Sequence, residues 1–333
     1  MKTVDVHCHY IPPALIHRIR SDGARWGIEV LDRDGGQRVS FGGKDVTQPF
    51  PEGMLDLDAR LRWMDEAGID FQILSAWMDF SAYVLESEAG AFLARSLNEL
   101  TIEAISTKSD RFRAMAAVPL QAPELAAEEL RYAVKELGAV GVEIATSVVD
   151  LELDDEGLDP FWAAAQELDV VVLVHPYASV GSERLTRYFL NNIVGNPAEE
   201  TVAAAHLIYG GVLVRHPGLK VCLTHGGGFL PYQIGRQDRG FEAVSKLTRK
   251  KLEQPPSGFL DRFLYDTIVH SPEAVRFLCR RVGHHRVVLG SDQPFPMGDP
   301  DPLRTVREAG LSDEETEAIL WNNAARAFGL DPD

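Results

Sequence analysis

Short apolar runs rich in valine and isoleucine alternate with segments of helical periodicity along most of the chain. The apolar runs predict eight strands, at 3–9, 70–75, 112–118, 139–145, 170–175, 219–225, 263–268 and 286–291. The periodic segments predict helices at 55–67, 88–107, 123–137, 158–168, 198–214, 229–236, 272–282 and 302–309. A last helix should begin at Ser312, because its hydroxyl and Glu315 three residues later form a capping-box pattern.

The alternation of strands and helices sets the fold class. Strands joined through helical crossovers run parallel, and eight such units predict an α/β fold of the (β/α)₈ TIM-barrel type, usually about 250 residues long. The chain has 333 residues, so some segments must be insertions. Segment 20–52 predicts a flap or hairpin after the first strand, whereas 176–197 and 237–258 predict long loops after strands five and six. Without a repeat or linker, one distorted barrel domain is expected over 1–333.

An open, doubly wound sheet with a nucleotide site is the alternative fold. That fold needs a glycine-rich turn between the first strand and its helix, whereas this chain has HCHYIPP there. The glycines at 226–228 follow a histidine and lack the lysine of a phosphate loop. The barrel is therefore preferred.

Composition narrows the classes of partner. A net charge of −17 argues against binding to nucleic acid or to anionic membranes. No apolar run approaches the roughly 20 residues that span a bilayer, and the N-terminus lacks a signal pattern. The three cysteines are scattered and suggest no disulfide framework. A cytoplasmic location is the expectation.

Metal-binding residue types stand at the ends of several predicted strands. Alternate side chains of a strand share one face, so His7 and His9 in TVDVHCH can bind one ion together. His175 ends VVVLVH, and Asp292 follows RVVLGS. The carboxyl ends of barrel strands meet at one mouth, and imidazoles with one carboxylate suit zinc and similar ions. We therefore predict a metal site of these four residues, with water at an open position.

His225 opens the segment THGGG after strand six, and we assign it as the acid/base that acts with the metal-bound water. A fifth metal ligand, or a histidine that orients Asp292, are the alternatives. His270 follows strand seven and is expected either at the rim or in a loop. Glu143 ends strand four, where a lysine could have carried a bridging carbamate, so one metal is favoured. Ordinary surface or capping roles are expected for His17, His206, His216, His284 and His285.

The motifs, taken in order, resemble the metal-dependent amidohydrolase superfamily, in its aminocarboxymuconate-semialdehyde decarboxylase-like branch. They cover nearly the whole chain. The matching segments are DVHCHYIPP at 5–13, LQAPELAAEELRYAVKELGAVGVEI at 120–144, VHPYAS at 174–179, VGNPAEET at 194–201, HGGGFLPYQIGR at 225–236, YDTIVHSP at 265–272 and LGSDQPFPMG at 289–298. The resemblance implies a distorted barrel with one divalent ion, most often zinc, with manganese as the alternative.

Two substrate-binding residues are implied by the resemblance alone. Arg236 matches an arginine that binds the substrate carboxylate from the neighbouring subunit, which implies a homodimer. Phe295 matches an aromatic residue that packs on the substrate. The flap segment FGGKDVTQPF lacks the second carboxylate-binding arginine of the muconate enzymes, and Arg38 and Lys44 are out of place. A simpler aromatic or unsaturated acid is therefore as good a substrate.

These features predict a metal-dependent, non-oxidative decarboxylase of a small carboxylic acid. Either His225, through the metal-bound water, or Asp292 would deliver the proton to the carbon that bears the carboxylate. The rival hypothesis is a hydrolase or hydratase in which a metal-bound hydroxide attacks an amide, lactone or enol acid. A binding or structural protein that kept an inactive barrel is the third class.

Overall fold

The structure is a computed structural model that describes residues 1–33, 35–177 and 179–330. Its strands are β1 (Val4–His9), β2 (Ile28–Arg33), β3 (Gly36–Phe41), β4 (Lys44–Asp45), β5 (Phe71–Ser75), β6 (Phe112–Ala116), β7 (Gly141–Ala145), β8 (Ser147–Val148), β9 (Leu151–Glu152), β10 (Val171–His175), β11 (Lys220–Leu223), β12 (Phe263–Asp266) and β13 (Val287–Val288). The order β1-β5-β6-β7-β10-β11-β12-β13 forms one parallel sheet. This sheet confirms the predicted barrel.

Helices connect the barrel strands. They are α1 (Pro13–Asp22), α2 (Leu57–Ala67), α3 (Ser87–Ile105), α4 (Pro123–Lys135), α5 (Asp159–Glu167), α6 (Asn196–Tyr209), α7 (Val212–Arg215), α8 (Leu230–Ala243), α9 (Ser245–Thr248), α10 (Pro272–Val282), α11 (Pro302–Arg307), α12 (Asp313–Glu317) and α13 (Asn323–Phe328). Two π-helical turns, Asn191–Gly195 and Ala318–Asn322, lead into α6 and α13. Every predicted helix has a counterpart, and the capping box of Ser312 and Glu315 is present.

Three sequence expectations need correction. Helix α1 was not predicted, although it begins at Pro13, a residue favoured in the first turn of a helix. Segment 237–258 begins as helix rather than loop, because Phe241 is buried seven residues after Ile234 and continues the same apolar face. The eighth strand is shorter than expected because the backbone pairs with β12 only as far as Val288 and then bonds to β1 from Leu289 onward.

The flap after β1 is a small antiparallel sheet of β2, β3 and β4. Ile28 pairs with Phe41, and both side chains are buried in a cluster with Leu15 and Ile19 of α1. The predicted insertion is thus packed on the barrel through its own apolar face. The single-domain boundary 1–333 stays a prediction.

Both faces of the barrel wall are apolar, as in other parallel sheets. Along β10, Val172 and Val174 belong to the largest buried cluster, which includes residues of the surrounding helices. Val171 and Leu173 face the other way and belong to a separate buried cluster with β1. His175 has the same parity as these two residues and therefore enters the barrel at its carboxyl end.

The barrel closes along a seam between β1 and residues 289–293. Val6 N donates to Leu289 O at 3.0 Å, and Asp292 N donates to His7 O at 2.7 Å. Buried Asp5 accepts from the backbone N–H and the hydroxyl of Ser291 and so ties the two sides together. The seam therefore places Asp292 beside the first strand.

Candidate metal centre and active site

Four predicted ligands meet at the carboxyl end of the barrel. The ligand atoms of His7, His9, His175 and Asp292 all lie within 4.8 Å of one another, and all four residues are buried. His9 Nε2 lies 3.2 Å from Asp292 Oδ1, and His7 Nε2 lies 3.5 Å from the same oxygen. Two ligands of a tetrahedral zinc ion, each about 2.1 Å from the metal, lie about 3.4 Å apart. The described residues thus contain a cluster that can hold one ion.

The three histidines present the same nitrogen to the cluster because each Nδ1 is engaged elsewhere. His7 Nδ1 lies 2.6 Å from Asp266 Oδ2, and His9 Nδ1 lies 3.0 Å from Ala76 O. His175 Nδ1 lies 2.8 Å from Pro176 O. An oxygen acceptor at Nδ1 fixes the tautomer that donates from Nδ1 and leaves the Nε2 lone pair for a metal.

The same inward-facing atoms lack hydrogen-bond partners. Nε2 of His7, His9 and His175 and Oδ1 of Asp292 are buried and unpaired among the described residues. An unsatisfied buried polar atom costs about 1–3 kcal/mol, so four at one point need a common partner. Burial and the neighbouring histidines also lower the pKa of His175 well below its usual value, which favours the neutral ligand form. The donor set therefore fits a divalent ion.

His225 lies beside this cluster but faces a different carboxylate. Its Nδ1 lies 2.8 Å from Glu200 Oε1, and its Nε2 lies 3.6 Å from Asp292 Oδ2. Burial disfavours its charged form, yet the carboxylates of Glu200 and Asp292 outweigh burial and raise the pKa of His225 well above its usual value. Thr224 also donates to Glu200, and this bond holds the acid in place. The arrangement favours the protonated imidazole and directs Nε2 toward the ligand cluster.

Two cavities meet at Asp292. One, of about 250 Å³, opens over His175 and Asp292. Its aromatic walls are Trp77, Tyr177, Phe189 and Phe295. The other, of about 290 Å³, is lined by His225 and His270 and reaches the same aspartate. A small planar acid in this space would contact aromatic surface, the ligand cluster and His225.

The resemblance implies two substrate-binding residues, and the structure places one of them at the cavity and the other away from it. The Phe295 ring lies 5.1 Å from the His9 ring, edge to face, and lines the cavity. Arg236 is exposed on α8 and lines neither cavity. Their predicted roles are not tested by these positions. Arg236 cannot serve this chain's own cavity without a rearrangement.

The remaining histidines lie mostly where ordinary roles were expected. His17 and His285 are exposed, His206 lies 2.7 Å from Asp154, and His284 lies 3.6 Å from Glu315. His216 differs, because it is buried and bonded to Asp159.

Sequence reasoning passed over two buried acids of the site. Asp266 ends β12 and holds His7, so the strand-end rule used for the histidines could have found it. Glu200 lies in α6, where nothing in the local pattern relates it to His225.

The chain belongs to the amidohydrolase family, whose model matches residues 4–330. It is 35% identical over 280 residues to the 2-amino-3-carboxymuconate-6-semialdehyde decarboxylase of Dictyostelium discoideum, covering 83% of this chain and 77% of that protein. It is 30% identical to the gamma-resorcylate decarboxylase of Rhodococcus jostii, covering 84% of this chain and 89% of that protein. These matches confirm the resemblance found in the sequence.

Solved structures support the same fold. The 5-carboxyvanillate decarboxylase of Sphingomonas paucimobilis superposes with a TM-score of 0.84 at 23% identity, covering 99% of each chain. A dihydroxybenzoic acid decarboxylase of Polaromonas, solved with bound manganese and the inhibitor 2-nitroresorcinol, gives a TM-score of 0.79 at 25% identity, covering 100% of this chain and 98% of that one. Among the described residues, no helix combines the length and apolarity that crossing a bilayer requires. The cytoplasmic location stays a prediction.

Proposed function

We propose that this chain is a metal-dependent, non-oxidative decarboxylase of a small aromatic or unsaturated monocarboxylic acid. The observation that carries the proposal is the pairing of His225 with Glu200 beside the four-ligand cluster. A protonated imidazole at that place can protonate a carbon atom. The names of the relatives, which are decarboxylases of carboxylated aromatic acids and of a muconate semialdehyde, support the same reaction.

The residues of the site divide the work of the reaction. A divalent ion held by His7, His9, His175 and Asp292 would supply positive charge that offsets the negative charge of an acidic substrate. Phe295 and Trp77, whose rings lie 5.4 Å apart, hold the ring or diene and exclude water. His225 Nε2 then gives its proton to the carbon that bears the carboxylate. The carbon–carbon bond breaks, its electron pair restores the unsaturated system, and carbon dioxide leaves. Solvent returns the proton to His225.

The proposed metal is a single divalent ion, either zinc or manganese. Three imidazole nitrogens and one carboxylate oxygen suit both ions. The manganese in the Polaromonas structure supports the second choice, whereas the donor set and the ligand spacing support zinc. Loading the metal-free protein with each ion and comparing turnover distinguishes them.

Asp79 supports a substrate with one carboxylate. Its side chain lines the cavity above the ligand cluster, and burial raises the pKa of Asp79 to about 7. No lysine or arginine of the described residues lines this cavity, so a second carboxylate would find no permanent cation of the same chain there. A hydroxyl or amino group on the substrate, in contrast, can hydrogen-bond to Asp79 in either protonation state. A hydroxy- or aminobenzoate therefore fits better than a dicarboxylic muconate.

We further propose a homodimer in which Arg236 serves the neighbouring site. Large apolar side chains are exposed around the mouth of the barrel, with Tyr188 81% and Tyr232 73% exposed. Phe189 and Phe229 line the two active-site cavities and are also exposed. Such an apolar rim is typical of an interface. A second copy seated there would bring an arginine to a cavity that lacks one.

The decisive experiment incubates the metal-loaded protein with hydroxybenzoates, aminobenzoates and carboxymuconates and measures released carbon dioxide. We expect turnover of at least one hydroxy- or aminobenzoate. His225→Ala should keep its metal and lose about 10²-fold or more in kcat, the usual range for acid–base catalysis. His17→Ala, at an exposed histidine, is the matched control and should be unchanged. Turnover of lactones or amides with no carbon dioxide from any acid would overturn the proposal and favour the hydrolase.

A further inference from the structure

A third cavity, of about 360 Å³, lies at the opposite end of the barrel from the metal ligands. Three neighbouring strands begin at its wall. Lys220 is the first residue of β11, Arg262 comes directly before β12, and Arg286 comes directly before β13. Arg326 of α13 is the fourth cationic side chain, and His285 also lines the cavity. Among residues 1–33, 35–177 and 179–330, the rest of the lining is apolar except for Asn323, and none of it is acidic.

Two arginines of this cavity donate hydrogen bonds to uncharged oxygens rather than to carboxylates. Arg262 donates to Pro217 O at 2.6 Å, and Arg326 donates to Asn323 Oδ1 at 3.0 Å. Lys220 pairs at 2.8 Å with an aspartate whose side chain is 76% exposed, outside the lining. The Nε of Arg286 is buried and has no hydrogen-bond partner among the described residues. The cavity therefore keeps positive charge and an unused donor.

The cationic side chains around the cavity also act on His285, which lines it. Burial, then the charges of Arg286, His284 and Arg326, lower the pKa of His285, and Asp261 opposes them only as the weakest influence. Four permanent cations around one cavity repel one another at a free-energy cost, in a chain whose net charge is −17. A bound anion would remove that cost.

We infer that this cavity binds a multiply charged organic oxyanion, either a phosphate ester or a polycarboxylate. Guanidinium groups present paired N–H donors that match the oxygens of phosphate and carboxylate, and the cavity offers three. Several cations call for more than one negative charge. The apolar side chains of Leu219 and Leu264 in the lining fit a carbon body better than a bare ion.

The proposed site is separate from the catalytic centre. Strand β11 leads from Lys220 to the residue before Thr224 and His225, and β12 leads from Arg262 to Asp266. Four strand residues span about 13 Å, so an anion in this cavity cannot touch a substrate bound at the metal ligands. Binding there should leave the chemical step intact, and the site does not depend on the proposed decarboxylation.

The test measures binding of fructose bisphosphate and of tricarballylate to the metal-loaded protein by titration calorimetry, at one ionic strength set with sodium chloride. We expect one saturable site per chain for at least one of the two probes. Arg286→Gln and Arg326→Gln should each weaken binding about tenfold, or about 1.4 kcal/mol, because each removes a charged hydrogen-bond donor. Both variants should keep kcat. The probe that binds more tightly shows whether the ligand is a phosphate ester or a polycarboxylate.

Arg111→Gln is the matched control, because Arg111 also comes directly before a barrel strand but is paired with Asp65 at 2.8 Å. It should bind the probes as the unaltered chain does. The absence of saturable binding, or binding that both cavity variants retain in full, would overturn the inference. Equal weakening in Arg111→Gln would show that only the general charge of this end of the barrel matters, and would overturn it as well.

Discussion

Glu200 controls the proton of His225 at the scale of single residues. Its carboxylate accepts from Nδ1 and stabilises the imidazolium, so His225 stays protonated above the pH at which a free histidine would lose its charge. A proton donor is active only while protonated, and its activity falls as pH rises through its pKa. Decarboxylation should therefore persist through neutral pH in the unaltered protein.

Glu200→Gln should lower the pKa of His225, because the amide carries no negative charge. We expect kcat to fall about tenfold or more at neutral pH, and the loss of activity with rising pH to begin at a lower pH. The pH profile of kcat is the measurement. Glu199→Gln is the matched control, since Glu199 is also buried in α6 but accepts from Thr146 instead. An unshifted profile in Glu200→Gln would contradict the role given to Glu200.

The residue scale also shows what the sequence can and cannot predict. The carboxyl ends of the strands meet in any parallel barrel, so a residue's position at a strand end is enough to place it at the site. This made the four ligands predictable: His7, His9, His175 and Asp292. Glu200 comes from a helix, and its approach to His225 depends on how α6 packs, which no local pattern records. The site is therefore predictable where backbone topology alone positions a residue.

Helix α8 connects the segment that follows His225 with the surface. It begins five residues after His225, and Arg236 lies six residues further, about 9 Å along the axis. The buried side of α8 includes Ile234 and Phe241, whereas Arg236 and Tyr232 face outward. The element thus presents an arginine and an aromatic ring together to whatever covers the mouth of the barrel.

Complementation tests whether α8 serves a neighbouring chain. His225→Ala and Arg236→Ala should each be nearly inactive, and mixing them should restore up to about one quarter of normal activity. In a hybrid dimer, one of the two sites keeps both residues. Activity of the unaltered protein should also fall on dilution. Arg239→Ala, at an exposed arginine of the same helix, is the matched control and should stay active alone. Hybrid dimers that form without regaining activity would refute the shared site.

Some helices and strands are predictable from the sequence, and others depend on how the chain packs. Helices with strong apolar periodicity, such as α10, were placed to the residue. Strand β13 was overestimated because its apolar run continues past the point where the backbone leaves β12 and joins β1. The hydrophobic pattern indicates only that a segment is buried. The apolar run that begins with β13 is buried whether it pairs with β12 or with β1, so the pattern does not show where β13 ends.

Across the whole molecule, a metal would join the two sides of the barrel seam. His7 and His9 lie on β1, and Asp292 lies on the opposite side of the closure. An ion bound only by the folded state adds stability that grows with its concentration, about 2.7 kcal/mol at one hundred times its dissociation constant. The ion should therefore stabilise the barrel as well as the site.

Removing the metal with a chelator should lower the melting temperature by about 5 °C or more, with recovery on adding zinc or manganese. His7→Ala should melt at the same temperature with and without metal, because its cluster is incomplete. His17→Ala should keep the full metal-dependent shift. Differential scanning calorimetry measures all three. An unaltered protein that melts equally with and without metal would contradict a stabilising ion at the seam.

The same seam sets the order of events on the ribosome. β1 can pair with β5 early, but its other edge finds Leu289 and Asp292 only after nearly the whole chain has been made. At about 5–20 residues per second, His7 and His9 wait roughly fifteen to sixty seconds for their carboxylate partner. A translation product that ends between His175 and Asp292 would carry three of the four ligands and an open barrel edge. Tight metal binding thus requires a chain that has been translated past Asp292, beyond the last barrel strand.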